Sequence, residues 1–503
     1  MPGSGSMSSI NAEDSLYNNT ADVSSDNVRS ILGSNADYVS RVILVRDKPE
    51  IPSVLVYMDG LVDNKQINDN ILKPLSQEEQ FDSCNTEEDA ARLISMGKIY
   101  SSSMKLRTNM KDLTDDLLAG SAALIFNDAK TAFTFEAKVP LSRAISEPTG
   151  ENVIKGAKDS FIEDLRTNTA LCRKKLTSPF LTIEQIHLGK QTNSNIAILY
   201  VKNITNSKLI DEVKKRLGSI DIDRVLDAGV IEGAIVDDKY STFPQIQYTE
   251  RIDRFCSSLV EGRVGILIEG LPTAYIVPGT LLQFLQAPDD YAFQFIIASI
   301  VRFIRFMSMF ITLVLPGFYI SITSFHPEML PAELAFSIVA SRVGVPFPMF
   351  VEVLILLLAF ELLIEAGVRL PKVIGQTVSI VGGLVVGQAA VEAKLVSPAT
   401  VMIIAITAIT GFLMPNQDFS NAIRLWRMIL AIFGSIIGIF GLTFGLIFLL
   451  YHWCRMETFG VPYLDPFVAS EDEQLQDTIF RLPLFLMKKR PSSLDPKNKK
   501  RME

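Results

Sequence analysis

The chain has 503 residues, with 48 Lys+Arg against 56 Asp+Glu, and its net charge of −8 argues against general nucleic-acid binding, which needs a basic face. At 48% hydrophobic and 21% charged it is no disordered or collagenous chain and no small stapled domain. A mean hydropathy of +0.26 also excludes a purely soluble protein, because the apolar residues must then be concentrated in part of the sequence.

In chain order, residues 1–36 are rich in Ser, Asn and Asp, lack an apolar core and are expected to be disordered. The opening MPGSGS reads as a flexible linker. No signal-peptide pattern precedes residue 300, so the N-terminal half is expected to fold in the cytoplasm. Residues 37–285 alternate β-type runs (Ser53–Met58, Ala122–Asn127, Asn195–Val201, Val264–Ile268) with amphipathic stretches, the pattern of an α/β or α+β layered fold. The fold is also repeated internally. YMDGLVDNKQI (57–67) matches YVKNITNSKLI (200–210), and LAGSAALIFNDAKTAF (118–133) matches VEGRVGILIEGLPTAY (260–275), at nearly one offset. This predicts a first module over 37–152, a helical linker over 153–179 with its helix from Val153 to Leu176, and a second module over 180–285. Each module ends in a hairpin, with turns at Asn127–Lys130 and Glu269–Pro272.

Catalytic patterns are missing. Neither module carries a glycine-rich phosphate loop, there is no GxSxG, and Ser102-x-x-Lys105 lies in a serine-rich stretch that yields such a match by chance. His187, His326 and His452 stand far apart, and the four cysteines form no metal-ligand grouping and are expected as reduced thiols. The expectation is a chain that is not an enzyme and uses no cofactor or metal.

Residues 286–456 are expected to form an α-helical transmembrane domain with four to five apolar helices, followed by a segment over 457–503 with a basic tail. Four windows carry no charged residue: 306–327, 373–391, 395–417 and 428–454. Each approaches or exceeds the roughly 30 Å hydrocarbon thickness at 1.5 Å per residue. Arg302 and Arg305 are expected to snorkel at the entry of the first helix, and Pro316-Gly317 to break or kink it. The tail after Lys488 reads as solvated and, by the positive-inside tendency, cytoplasmic, which calls for an even number of crossings.

MFVEVLILLLAFELLIEAGVRLP (349–371) is apolar yet holds Glu352, Glu361 and Glu365, and acids within such a helix must face protein or water. Glu361 and Glu365 share a face with Leu354 and Leu358, while Glu352 shares the other with Leu356, Ala359 and Leu363. In a symmetric ring these residues would form carboxylate collars separated by an apolar constriction, as in a gated cation path. The alternative is pairing with basic side chains, with Glu365 and Arg369 spaced i, i+4. The following stretch is thin: Gly375, Gly382, Gly383 and Gly387 suit close helix packing, and Gln376 and Gln388 call for polar partners within protein.

Four segments together resemble the A subunits of the GerA family of bacterial spore germinant receptors: GQTVSIVGGLVVGQAAVEAKLVSPATV (375–401), FELLIEAGVRLP (360–371), EGRVGILIEGLPTAYIVPGTLLQFLQAPDDY (261–291) and LPGFYISITSFHPEMLP (315–331). The resemblance implies a multi-pass protein of the spore inner membrane that works with a transporter-like B subunit, which senses nutrient, and a lipoprotein C subunit. It implies a homo-oligomer, a pentamer, that is embedded in lipid and releases monovalent cations to trigger germination. Leu357 and Ile364 depart from the Glu and Arg that the family pattern often carries there. The expected function is a nutrient-gated channel-forming subunit. Its alternatives are a non-conducting scaffold that relays a signal through the cytoplasmic modules, and a secondary transporter, which the lack of an internal repeat in the membrane half disfavours.

Overall fold

In a computed structural model, the described residues are 17, 22–48, 51–77, 81–82, 84–97, 99, 103–139, 151, 153, 155–225, 227–369, 387–468 and 477–502. They fall into two compact units: one of residues 1–236, 248–278 and 488–503, the other of 237–247 and 279–487.

The first unit contains two sheets of the same topology. In one, β1 (Tyr38–Leu44), β2 (Pro52–Met58), β3 (Lys105–Arg107), β4 (Ser121–Phe126) and β5 (Thr131–Glu136) are ordered β1-β2-β4-β5-β3. In the other, β6 (Leu181–Leu188), β7 (Ser194–Val201), β8 (Gln247–Thr249), β9 (Val264–Ile268) and β10 (Ala274–Val277) are ordered β6-β7-β9-β10-β8. The duplication extends to the register. Leu124 lies opposite Phe133 and Leu55. Their counterparts Ile266, Tyr275 and Ile198 pair in the same way. A slip of one residue would carry each side chain to the opposite face, against a different set of packing partners, so the shared pattern of buried side chains dictates a shared register.

Helices cover both sheets. In the first module α1 (Ser25–Leu32) and α3 (Met110–Leu118) pack on the face bearing Val54, Val56 and Ile125. The helical run over Asn64–Gln77 and α2 (Glu87–Ser95) cover Leu55, Leu124 and Phe133. In the second module α4 (Leu165–Lys175) and α7 (Ile252–Glu261) take the places of α1 and α3, and α5 (Ser207–Gly218) and α6 (Ala228–Ile235) follow β7.

Three expectations are corrected here. Residues 1–36 are not disordered throughout: α1 is capped by Ser24, whose hydroxyl accepts from the Asn27 amide, and it buries Val28, Ile31 and Leu32. Only those three positions, spaced i, i+3, i+4, carry its apolar face, too little to stand out in a polar sequence. Among the described residues the expected linker helix over Val153–Leu176 is helical over Leu165–Lys175, and it belongs to the second module as the counterpart of α1. The tail also departs from a solvated chain. Residues 488–490 lie antiparallel to 499–501, the Arg490 side chain donates to the Val260 carbonyl, the Lys497 amide donates to the Ile204 carbonyl, and Leu494 is buried.

The second unit is helical: α8 (Phe295–Phe325), α9 (Ala332–Ser341), α10 (Met349–Arg369), α11 (Gly387–Glu392), α12 (Pro398–Gly411), α13 (Gln417–Ile437) and α14 (Ile439–Arg455). Among the described residues two helices, α8 and α13, are long and apolar enough to cross a membrane, and α9, α12 and α14 are shorter apolar helices. The uncharged window 428–454 is therefore not one span. Gly438 takes φ +67 and breaks it, and α14 folds back along α13, with Phe433 beside Phe444 and Trp426 beside Phe448 and His452. Charge content cannot register such a turn, because glycine supplies it without any polar residue. Window 395–417 likewise holds only the 14-residue α12, about 21 Å long.

Pro316-Gly317 does not break α8, which runs through all 31 residues. Its role is close packing. A Cβ on Gly317 would stand 3.0 Å from the Leu430 carbonyl oxygen, and one on Gly434 2.8 Å from that of Gly317. The Ser321 hydroxyl donates back to the Gly317 carbonyl one turn earlier at 2.7 Å, so this polar side chain is satisfied within the helix pair. Arg302 and Arg305 do not snorkel either; both are buried against Asp290, and Arg302 also reaches Asp477 at 2.5 Å. The sequence places these four residues too far apart to reveal the pairing.

Candidate functional site

The acids of α10 are the unusual feature of the helical unit, and the structure gives each a basic partner. Glu352 is fully buried. Its Oε1 accepts from the Arg342 guanidinium at 3.0–3.1 Å, and its Oε2 accepts from the Ser397 amide at 3.0 Å and the Thr400 hydroxyl at 3.2 Å. Ser397 is the N-cap of α12, followed by Pro398, so the carboxylate sits at a helix N-terminus where unsatisfied amides and the positive end of the macrodipole favour an anion. These donors, from the loop after α9 and from the start of α12, offset the desolvation of the charge.

Glu361, two and a half turns further on, is bound by Arg427 at 2.5 Å and Arg424 at 3.0 Å, both on α13. Arg427 is almost wholly buried while Glu361 keeps some exposure. Glu365 pairs with Arg369 at 2.6 Å on the surface, as the i, i+4 spacing suggested. Thus α10 is tied at one end to α12 and at the other to α13. Between the ties, Val353 and Leu357 pack with Tyr319, Ile404 and Ala431.

Within one chain the acids of α10 take the pairing with basic side chains that stood as the alternative to carboxylate collars. Within one chain Glu352 points into the bundle, with Leu356 half-buried beside it, and neither Glu352 nor Glu361 offers an unpaired carboxylate. Of the proposed gate residues Leu358 alone is well exposed; Leu354, Ala359 and Leu363 are half-buried. Ile355 and Leu362 share the outward side of α10 with Leu358. The physical reason is that three donors inside the bundle satisfy a buried acid without water, an option that helical periodicity alone cannot weigh.

Gly375, Gln376, Gly382 and Gly383 lie outside the described residues. Gly387 and Gln388 begin α11, which buries none of its residues; Gln388 is exposed, and a Cβ on Gly387 would meet only Val401 at 3.8 Å. The expected close packing and enclosure are not made by this chain at those two positions, which lie on the surface of their unit. Sequence reasoning missed Arg342, Ser397, Thr400, Arg424 and Arg427. A legible signal existed for one part: Ser397-Pro398 is a helix-start pattern next to an uncharged run. Among the described residues no cluster of three or more His, Cys, Asp or Glu could hold a metal ion.

Against known proteins, residues 26–493 match the family described as Bacillus/Clostridium GerA spore germination protein. The chain is 38% identical over 474 residues to spore germination protein B1 of Bacillus subtilis (strain 168), covering 94% of this chain and 97% of that protein. It is 37% identical over 471 residues to spore germination protein KA of the same organism, covering 93% and 86%. A crystal structure of the N-terminal domain of the A subunit of the Bacillus megaterium spore germinant receptor GerK3 is similar with a TM-score of 0.42 and 28% identity, over 53% of this chain and 98% of that one.

Proposed function

Because the chain belongs to the GerA family of spore germination proteins, we propose that it is the membrane-embedded A-type subunit of a nutrient-gated germinant receptor in the spore inner membrane. Copies associate as a pentamer around an axis lined by α10, beside a nutrient-sensing B subunit and a lipoprotein C subunit, and the assembly releases monovalent cations. The observation that carries this reading is the double tie of α10. Its acids are held by other elements while its outward face is apolar at Ile355, Leu358 and Leu362. An apolar constriction excludes ions by dewetting. A ligand-bound partner that favours a rotated α10 would part Arg342 from Glu352 and bring the carboxylate toward the path. The gate is then the leucine face, and the acids are its latches.

The test is passive cation flux in liposomes holding the purified full chain. Leu358→Ser should raise the basal leak and Ala359→Trp should suppress flux. Glu352→Gln should shift the balance between closed and open. If the full chain, alone and with its receptor partners, passes no cations under any of these changes, channel function is overturned. The satisfied pairing of Glu352 and Glu361 favours one further reading, a non-conducting scaffold that relays a signal through the duplicated modules, since acids so compensated need no wet axis. A germination response that survives without flux would select it.

A further inference from the structure

Residues 237–247 follow α6 in sequence, yet they pack in the helical unit, and the function above does not use them. Phe243 roots them there. It is buried against Trp426 of α13 and His452 and Trp453 of α14, with ring centroids 5.3–6.2 Å away. Hydrogen bonds fasten the turn before it. The Ser241 hydroxyl shares one of 3.0 Å with His452 Nε2, and the Trp426 indole donates to the Thr242 hydroxyl at 3.0 Å. The Gln245 side chain accepts from the Asp237 and Asp238 amides and donates to the Asp238 carbonyl. The Asp238 carboxylate accepts from the Tyr240 amide at 3.0 Å, a local bond that fixes the tip of the turn. That tip is Lys239-Tyr240, and Tyr240 is 98% exposed. A large ring held out on a fixed turn buries nothing against this chain, so its apolar area is open to an external partner.

The turn is fastened where the helical unit changes character. On α13, Arg427 is the last charged residue, and residues 428–437 carry no charge. On α14 the exposed Phe440, Phe444, Ile447, Phe448 and Tyr451 form one outward stripe at helical spacing. His452 and the exposed Arg455 follow it directly. Trp426 and His452 stack 6.1 Å apart, so both helices pass from apolar to charged at one level. Aromatic side chains with a polar tip gather at such a level in a bilayer, with the ring at the edge of the hydrocarbon and the hydroxyl among the headgroups. Lys239, also exposed, adds a charge that a lipid phosphate attracts.

We propose that Tyr240, carried by this turn, is an interfacial anchor that inserts into the headgroup region of a phospholipid bilayer beside the end of the α14 stripe. Lipid fits the tip because the turn is bonded to the residue that closes that stripe, and because an aromatic residue next to a lysine suits a phosphate-bearing interface. The proposal rests on the membrane-embedded reading of the helical unit.

The chain contains two tryptophans, Trp426 and Trp453, both buried, so the unsubstituted protein supplies a fixed background for a third. The full chain with Tyr240→Trp is placed in phosphatidylcholine nanodiscs whose acyl chains are brominated either near the headgroup or near the bilayer centre. The emission that the substitution adds should fall by about half with bromine near the headgroup, and by less with bromine at the centre. Iodide in the water should quench it weakly. Phe444→Trp on α14 and Ile432→Trp on α13, both at exposed positions, are the references and should respond more to the deeper bromine. If they do while Tyr240→Trp responds to iodide alone, the turn stands in water and the anchor is overturned. Shielding of Tyr240→Trp from iodide and from both brominated lipids also overturns it, since a protein surface then covers the tip. If neither reference responds to either lipid, the membrane reading itself fails and the anchor falls with it, an outcome distinct from the other two.

Discussion

Arg173 in the duplicated modules and Arg342 in the helical unit both complete buried ion pairs, and the two are built to opposite ends. Arg173 is fully buried and grips Asp37 with two parallel bonds of 2.8 and 2.9 Å; it also donates to the Leu181 carbonyl and the Asn35 side chain, joining the first module to the second. Arg342 keeps 30% of its side chain exposed while its partner Glu352 has none. In the modules both charges are locked, as suits a rivet. In the helical unit only the acid is locked, and the base already lies partly in water.

The largest expected effect follows from the rivet. Arg173→Met leaves Asp37 buried beside an apolar side chain and should cost ~3–5 kcal/mol, read as a lowered unfolding midpoint of the full chain in mild detergent. A shift comparable to that of a surface substitution would show that the modules do not depend on it. Arg342→Met comes next, at ~1–3 kcal/mol, because Ser397 and Thr400 still satisfy part of Glu352. Combining it with Glu352→Met should recover part of that loss, since no buried charge then remains. The comparison sharpens in the flux assay: Arg342→Met should change basal flux, and Arg173→Met should leave flux per folded particle unchanged.

Gly434→Ala tests the packing that frames the latch. Its added methyl would press on the Gly317 carbonyl and the Ser321 hydroxyl, at a cost of ~1–3 kcal/mol. A neutral result would mean that α8 and α13 can separate freely. The smallest effect belongs to Asp116 in the first module. Burial raises its pKa, but hydrogen bonds from Arg107 and Thr134 outweigh this and hold it below the ordinary carboxylate range. A depressed pKa contributes stability above the unfolded-state value, and this is lost as pH falls through the folded-state value. Asp116→Asn should therefore flatten the acid limb of the stability curve. An unchanged limb would show that the Arg107 pair is inert.

How legible each region was in the sequence follows the same division. The modules were readable because strands alternate faces and a repeat shows the pattern twice: Tyr57 and Tyr200, and Phe133 and Tyr275, take matching places in their sheets. The turn at Gly270, with φ +82, was legible from composition. In the helical half, uncharged windows announced apolar helices but not their ends, so the reversal at Gly438 and the shortness of α12 stayed hidden. At the candidate site Glu365–Arg369 was visible because its partners are four residues apart. Glu352 with Ser397, 45 residues on, and Glu361 with Arg427, 66 residues on, were not.

By itself the sequence determined which segments are apolar, that one module is repeated, that three acids stand on a single apolar helix, and which family the chain resembles. Local periodicity and composition carry all of these. Only the tertiary structure decided what those acids meet. A buried charge is tolerable through either water or a paired donor, and which of the two it has depends on elements brought together from distant parts of the chain.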